Sequence, residues 1–212
     1  MMTALTVIYV FLSAPTPGAT ELRIAVAANF APVLQKLKPV FEKKYNVQTA
    51  VIYGSSGVLY AQIINGAPFD VFLAADDVYP KRLLSEHPAT GKPFIYALGR
   101  LVLWTKHSPK TQSAADFLKT GNFNRLALAN PRFAPYGAAG EEVLKKLRLT
   151  QATANKRVYG ESISQVLQFV RSGNVQAAFL SSSQVAENPA GGYVLDIPPE
   201  LNSTIRLFRR AL

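Results

Sequence analysis

Short apolar segments alternate with segments of helical periodicity along the chain from Glu21 onward. Residues 22–28, 47–53 and 71–74 have the composition of buried strands, whereas residues 30–45 repeat apolar side chains three and four positions apart. Parallel neighbouring strands need a crossover connection, which is usually a helix. The alternation therefore predicts an α/β fold with mostly parallel sheets.

The second half of the chain continues this alternation. Strand patterns lie at residues 95–106, 125–129, 156–159, 175–180 and 193–197, and helical patterns lie at residues 114–118, 137–147 and 163–172. No internal repeat and no low-complexity segment interrupts the sequence. The α/β pattern thus extends over nearly all of the chain.

The composition excludes several kinds of site. The 212 residues contain no cysteine, which excludes disulfides, thiolate zinc sites and cysteine nucleophiles. Only two histidines are present, which argues against a multi-histidine metal site. Hydrophobic residues make up 49% of the chain and charged residues 17%, which is typical of a folded protein and not of a disordered one.

The chain carries a formal net charge of +10 at pH 7, which raises nucleic acid as a partner. The basic residues are dispersed, however, as single residues and as pairs such as Lys43/Lys44. The densest cluster is Arg206, Arg209 and Arg210, and no block of five or six like charges occurs. This distribution predicts solvated helix faces and no nucleic-acid partner.

The first twenty residues carry no charge, and residues 4–14 form an apolar run that breaks at Pro15, Pro17 and Gly18. Such a run is of signal-peptide length and too short to span a bilayer as a mature helix. We interpret residues 1–20 as a signal-peptide-like segment without the usual basic start. From this segment we expect the protein to be exported to the periplasm or another extracytoplasmic compartment. A disordered or membrane-associated tail is the alternative.

Small or hydroxylic residues stand at four predicted strand-to-helix junctions: Ala28-Asn29, Ser55-Ser56-Gly57, Tyr136-Gly137 and Ser162-Ile163. In open α/β sheets, ligands bind beyond the carboxyl ends of the strands. A helix N-terminus there presents unpaired N–H groups and a partial positive charge. Several such termini around one point form an anion site without Lys or Arg. Ordinary helix capping by Asn and Ser is the alternative interpretation.

Other polar residues have structural explanations. One of Asp76 and Asp77 is expected to cap a helix, with the other solvated. His87 and His107 lie in polar, proline-containing loops and are expected to be exposed. No nucleophile elbow, P-loop or regular stacking platform of aromatic residues is visible.

At the same loops the chain resembles the molybdate-binding proteins of bacterial ABC transporters. The resemblance runs from about Glu21 to about Ile197 and rests on five blocks. They are AVAANF at 25–30, YGSSGVLYAQI at 53–63, GAPFDVFLAADD at 66–77, NPRFAPYG at 130–137 and ESISQVL at 161–167. The second and third blocks are long and correctly spaced, so the match is specific.

The resemblance implies a two-lobed type II periplasmic binding protein with mixed, mostly parallel sheets and a two-strand hinge. Lobe 1 would comprise residues 21–97 and 194–212, and lobe 2 residues 98–193. The crossovers would lie near residues 97–102 and 193–198, and closure about them would exclude water from the cleft.

The resemblance also implies a function: binding of one molybdate or tungstate ion, delivery to a membrane permease, and no enzymatic activity. The expected oxyanion-binding residues are Ala28, Asn29, Ser55, Ser56, Tyr136 and Ile163. They would hold molybdate through its oxygens, with no direct protein–metal ligand and no cofactor. A tyrosine donor of some members falls near Ser181, where this chain has three serines.

The family pattern continues beyond Leu212 with a strand and a helical segment that complete lobe 1, so the C-terminal part of lobe 1 is expected to be incomplete. We expect a monomer, although uncovered apolar surface in lobe 1 would lower stability or favour association with a partner.

Three rival functions remain open. The closest is a binder of another anion such as sulfate, phosphate or an organic carboxylate, although carboxylate binders usually place an Arg in the cleft. A two-lobed transferase, such as a phosphoribosyl transferase, would need a longer phosphate loop and acids for Mg²⁺. The effector domain of a transcription regulator would follow a helix-turn-helix segment, whereas here a signal-peptide-like segment precedes the predicted α/β domain.

Overall fold

Two five-stranded sheets organise the computed structural model, which describes residues 21–86, 92–186 and 191–212. The signal-peptide-like segment 1–20 and His87 lie outside the described residues. The strands are β1 (Glu21–Ala27), β2 (Gln48–Gly54), β3 (Val71–Ala74), β4 (Phe94–Gly99), β5 (Leu101–Thr105), β6 (Leu126–Ala129), β7 (Arg157–Gly160), β8 (Ala177–Ser181), β9 (Tyr193–Asp196) and β10 (Ile205–Ala211).

Helices follow most of the parallel strands. They are α1 (Ala31–Tyr45), α2 (Ser56–Ile64), α3 (Val78–Glu86), α4 (Ala114–Thr120), α5 (Pro135–Lys146), α6 (Ile163–Arg171) and the short α7 (Ser182–Val185), with 3₁₀ turns at Ala28–Phe30, Ala154–Lys156 and Pro199–Leu201. In the described ranges, no helix has both the length and the apolar character needed to cross a bilayer.

The first sheet has the strand order β2-β1-β3-β10-β4, and the second has the order β7-β6-β8-β5-β9. In the first, β1 runs parallel to β2 and β3, and β10 is antiparallel to β3 and β4. In the second, β6 runs parallel to β7 and β8, and β5 is antiparallel to β8 and β9. The sheets are therefore mixed, within the predicted α/β class.

The C-terminal strand β10 was not foreseen from the sequence. It lies inside the first sheet, between β3 and β4. A register shift between Leu207 and Phe208 breaks the two-residue alternation that identifies a strand. Arg210 is 1% exposed and donates to the Pro80 carbonyl, so a residue type that indicates surface is buried here.

The chain passes between the sheets at Arg100 and at residues 197–204. Two strand ends lie in a different sheet from the one that the expected lobe boundaries give them: residues 98–99 extend β4 in the first sheet, and residues 194–196 belong to β9, which pairs with β5 in the second. Each sheet with its helices is here called a unit, and these two strand ends belong to the other unit than expected. The movement of the two units as lobes stays a proposal.

The apolar core is larger around the second sheet. Every residue of β5, β6 and β8 is buried, because helices or loops cover both faces of that sheet. The first sheet has a smaller cluster around Leu59, Phe72 and Leu83. None of the residues of α1 is fully buried, and its Val40 is 65% exposed. The effect of this apolar surface on stability or association stays a prediction.

Phe179 provides a test of the apolar core around the second sheet. It is fully buried on β8, where its ring contacts the Gly140 region of α5. We expect Phe179→Ala to lower the free energy of unfolding by about 3–5 kcal/mol, because it removes apolar contacts and leaves a cavity. The matched control is Phe94→Ala, since Phe94 is 50% exposed and should cost less than about 1 kcal/mol. Equal losses in urea unfolding would contradict this placement of the core.

Candidate functional site

Loops from both sheets surround one small cavity at the carboxyl ends of their parallel strands. It is lined by Ala27, Ala28, Asn29, Gly54, Ser55, Ser56, Ala75, Ala134, Pro135, Tyr136 and Ile163. The first seven follow or end β1, β2 and β3, and the last four follow β6 and β7. The structure thus brings together six of the seven residues predicted from the sequence: Ala28, Asn29, Ser55, Ser56, Tyr136 and Ile163.

The small cavity suits a guest of a few atoms. The centre of a water-sized sphere can move through only about 10 Å³ of it. A sugar, nucleotide or peptide would need several hundred Å³. The geometry therefore favours an inorganic ion over an organic ligand.

Helix N-termini supply most of the polarity around this cavity. Helices α2 and α6 begin at the lining residues Ser56 and Ile163, and α5 begins at Pro135, directly before Tyr136. The first N–H groups of a helix have no partner within it and carry a partial positive charge. None of the lining residues carries a charged side chain. The arrangement is suited to an anion held by neutral donors.

Ser55 and Ser56 do not act as ordinary side-chain caps. Ser55 occupies the N-cap position of α2 without a side-chain cap hydrogen bond, and its buried Oγ has no partner among the described residues. The Oγ of Ser56 accepts the Ala75 N–H at 2.9 Å, which leaves its own proton free to donate. A buried hydroxyl without a partner costs about 1–3 kcal/mol, so these side chains are suited to a guest that accepts hydrogen bonds.

Asn29 lines the cavity from the first sheet and Tyr136 from the second, and each is 3% exposed. Burial raises the pKa of the Tyr136 phenol, and a hydrogen bond from the Asn29 side chain lowers it by less. The phenol therefore stays protonated at neutral pH and can donate. The phenol of Tyr96 on β4 is a neighbour that the sequence did not indicate; its Oη is buried without a partner in the described part of the chain, and burial raises its pKa too.

The α6 N-terminus is fixed by its own loop. Ser162 caps the helix by accepting the Gln165 N–H at 3.4 Å, and the Gln165 side chain accepts the Glu161 N–H at 2.6 Å. The Ile163 carbonyl accepts from the Gln184 side chain at 3.0 Å. Here the capping interpretation is correct for Ser162, and the capped helix begins at Ile163, which lines the cavity.

Ser181, near which a tyrosine donor of some family members falls, does not line the small cavity. It is fully buried as the N-cap of α7, where its Oγ lies 3.1 Å from Gln184 Oε1 and 2.9 Å from Ser183 Oγ. Its hydroxyl is used in capping. Ser183, which the sequence did not single out, donates instead to the Asn29 carbonyl at 2.6 Å.

A backbone hydrogen bond also joins the two sheets directly beside the cavity-lining residues Ser56 and Ala134. Gly57, the second residue of α2, donates its N–H to the Phe133 carbonyl at 2.9 Å. A Cβ at position 57 would lie 3.0 Å from the Phe133 Cα and 2.6 Å from the Tyr79 Oη. Glycine therefore permits this approach, which a larger residue would obstruct.

A second, larger cavity of about 380 Å³, here called the side cavity, lies beside the small one. Asp76, one of its lining residues, accepts the Tyr79 N–H at 3.1 Å and so caps α3. Burial raises the pKa of Asp76 from an ordinary 3.8 to about 6, with a smaller contribution from Asp77. Asp77 pairs with Lys81 at 2.5 Å, which lowers its pKa. The predicted division between a cap and a surface acid is thus observed.

The remaining candidate, His107, does not line the small cavity. His107 is exposed, as predicted. Across residues 21–86, 92–186 and 191–212, no group of three or more His, Asp or Glu side chains comes together in a way that could hold a metal ion.

Comparison with known proteins agrees with this geometry. The family described as "Bacterial extracellular solute-binding protein" matches residues 22–209. The chain is 43% identical over 191 residues to the molybdate-binding protein ModA of Azotobacter vinelandii, covering 89% of this chain and 76% of that protein. It is 38% identical over 190 residues to ModA of Rhodobacter capsulatus, covering 89% and 75%.

The solved structure of the periplasmic molybdate-binding protein of Azotobacter vinelandii has a similar fold. The TM-score is 0.83 at 30% sequence identity, and the superposition covers 90% of this chain and 84% of that one. Similarity over most of both chains means that both sheets and their crossovers are included.

Asp76 predicts a pH-dependent effect on stability. Its folded pKa lies above its ordinary value, so the folded state binds the proton more tightly and loses stability as the pH rises from about 4 to about 6. Asp76→Asn keeps a cap but removes the charge. We expect it to raise the free energy of unfolding by about 1–2 kcal/mol at pH 7.5, after allowance for solvent screening, and to change it little at pH 4.

Urea unfolding at the two pH values measures this difference. Asp77→Asn is the matched control, because the Asp77 carboxylate is stabilised by Lys81 and its loss should destabilise slightly at pH 7.5. A gain for Asp76→Asn that is the same at pH 4 and pH 7.5 would contradict the assigned burial of this charge.

Proposed function

The chain belongs to the bacterial extracellular solute-binding proteins, in the group of the ModA molybdate-binding proteins, and on that premise we propose that it binds molybdate in the small cavity and delivers it to an ABC permease. Its fold is the two-lobed α/β fold of periplasmic binding proteins, as the sequence predicts. One observation carries the proposal: the buried, partnerless Ser55 hydroxyl lies in a cavity without charged side chains, where helices from both sheets begin.

The chemistry of molybdate matches these donors. Molybdate is a doubly charged tetrahedral ion, so each of its four oxygens must exchange water for hydrogen-bond donors when it is buried. The Ser55 and Ser56 hydroxyls and the Asn29 side chain would serve oxygens from the first sheet, with the N–H of Ala28 beside them. The N–H of Ile163 and the N–H or phenol of Tyr136 would serve them from the second. Molybdenum itself would have no protein ligand.

Neutral donors also explain how such a site discriminates. Donors at about 2.7–3.0 Å bind a fully deprotonated oxyanion without demanding a paired cation. A cavity of fixed size would leave donors unpaired around the smaller sulfate ion, which costs about 1–3 kcal/mol for each buried group. Tungstate has the same charge and shape as molybdate, so we expect it to bind as well.

The remaining roles follow from transport. We propose that the protein is a binding component and not an enzyme, that it needs no cofactor, and that residues 1–20 direct it out of the cytoplasm. The matched relatives that bind molybdate support an oxyanion ligand and a permease partner. The net charge of +10 would attract oxyanions at long range, and we expect a monomer without a nucleic-acid partner.

A thermal-shift panel separates this function from its rivals. Molybdate and tungstate should raise the melting temperature in a concentration-dependent way, because a ligand that binds only the folded state stabilises it. Sulfate, phosphate and nucleotides should cause little or no shift at the same concentration. A larger shift with sulfate or phosphate would favour the rival anion binder, and a shift with nucleotides alone would favour a transferase.

The two serines give a residue-level test. Ser55→Ala removes a hydroxyl without a partner, so it should leave the stability of the ligand-free protein unchanged or slightly higher while weakening molybdate binding by about 1–3 kcal/mol. Ser56→Ala should weaken binding by a similar amount and also reduce stability, because the Ala75 N–H loses its acceptor.

Titration calorimetry with molybdate measures both effects. Ser85→Ala is the matched control, since Ser85 lies on α3 and, among the described residues, its exposed hydroxyl donates to the Arg82 carbonyl alone. Unchanged affinity in Ser55→Ala and Ser56→Ala would remove these serines from the site.

A further inference from the structure

A short hydrogen bond ties the two sheets together at the wall of the small cavity. The Ser183 hydroxyl, on α7 after the second-sheet strand β8, donates to the Asn29 carbonyl at 2.6 Å. Asn29 follows the first-sheet strand β1 and lines the cavity with its side chain. The bond thus joins the backbone of a cavity residue in one unit to a side chain of the other unit.

The Ser183 hydroxyl is oriented by its own neighbours. The Ser181 Oγ lies 2.9 Å from the Ser183 Oγ, and either atom could donate. The Ser181 hydroxyl can also donate to Gln184 Oε1 at 3.1 Å, whereas the single proton of Ser183 is directed at the Asn29 carbonyl at 2.6 Å. The Gln184 side chain accepts the Ser181 N–H at 3.2 Å and donates to the Ile163 carbonyl at 3.0 Å. The network therefore runs from Asn29 to Ile163, two residues that line the cavity.

The neighbouring contact on the same wall is weaker. Ser164 Oγ donates to the Ala28 carbonyl at 3.5 Å, at the limit of a hydrogen bond. Ser183 itself does not line the cavity, so its hydroxyl acts on Asn29 and not on a guest. Its contribution depends on the approach of the two units, because its donor and acceptor belong to different sheets.

We propose that Ser183 is a positioning residue that latches the two lobes in the closed state and so slows the release of the bound oxyanion. The proposal rests on the proposed function of the small cavity. A hydrogen bond present only in the closed state shifts the equilibrium between closed and open states in favour of the closed state. A buried ion leaves through the open state, so loss of the bond accelerates release and leaves capture by the open protein unchanged.

The test compares Ser183→Ala with the unaltered chain, using molybdate as the probe. Release of radiolabelled molybdate into an excess of unlabelled molybdate should be about three- to tenfold faster in Ser183→Ala, the range expected for one net hydrogen bond. The dissociation constant should rise by the same factor, and the association rate should be unchanged. Ser183→Thr, which keeps the hydroxyl, should restore slow release.

Ser182→Ala is the matched control, since Ser182 is the neighbouring residue of α7; within the described part of the chain its backbone N–H donates to the Arg100 carbonyl and its hydroxyl has no hydrogen bond. It should release molybdate at the rate of the unaltered chain. The melting temperature of ligand-free Ser183→Ala should also stay unchanged, which distinguishes a latch from a general loss of structure.

The outcomes separate the two proposals. If the unaltered chain binds molybdate and Ser183→Ala releases it at the same rate, the latch is wrong and the binding function stands. If Ser183→Ala lowers the melting temperature of the ligand-free protein without changing release, Ser183 has a structural role only. If the unaltered chain binds no oxyanion, the proposed function is wrong and the latch is wrong with it.

Discussion

The proposed site depends on the unpaired N–H groups at helix N-termini. Strands β1, β2 and β3 are parallel, and so are β6, β7 and β8, so each connection must leave at the carboxyl edge and return by a helix. Polar helix starts are thereby gathered at one edge of each sheet. When the two edges face one another, neutral groups alone provide a site for an anion, and the basic surplus of the chain takes no part in it.

The absence of charge at the cavity wall explains the distribution of the polar side chains. A cation beside the site would pair with any anion, whereas fixed neutral donors select by geometry. Ser55 is placed for such a role because its hydroxyl is not consumed in capping α2. Ser162 and Ser181, by contrast, cap α6 and α7, and their hydroxyls are used locally. Chemically identical side chains at similar junctions thus serve different purposes.

The sequence predicted those features that local pattern determines. The alternation of strand and helix patterns predicted most of the strands and helices. The small and hydroxylic residues at four junctions predicted which loops line the cavity. It could not distinguish Ser181 from Ser183, because only the tertiary approach of α7 to the turn after β1 places a carbonyl beside one of them. Strand β10 was missed because its bulge and its arginines conceal the alternation. Likewise, the burial that raises the pKa of Asp76 comes from segments distant in the chain.

Transport requires that a bound ion be released, and release would depend on the contacts that hold the two units together around the proposed site. Gly57 permits a backbone contact between the two sheets, and Ser183 supplies a side-chain contact between them. The most direct test of the central claim is a crystal structure grown with molybdate, with anomalous diffraction measured at the molybdenum absorption edge. The account predicts one molybdenum peak in the small cavity, with its oxygens within hydrogen-bond distance of Ser55, Ser56 and the Ile163 N–H. A peak elsewhere, or none in the cavity of a crystal saturated with molybdate, would contradict it.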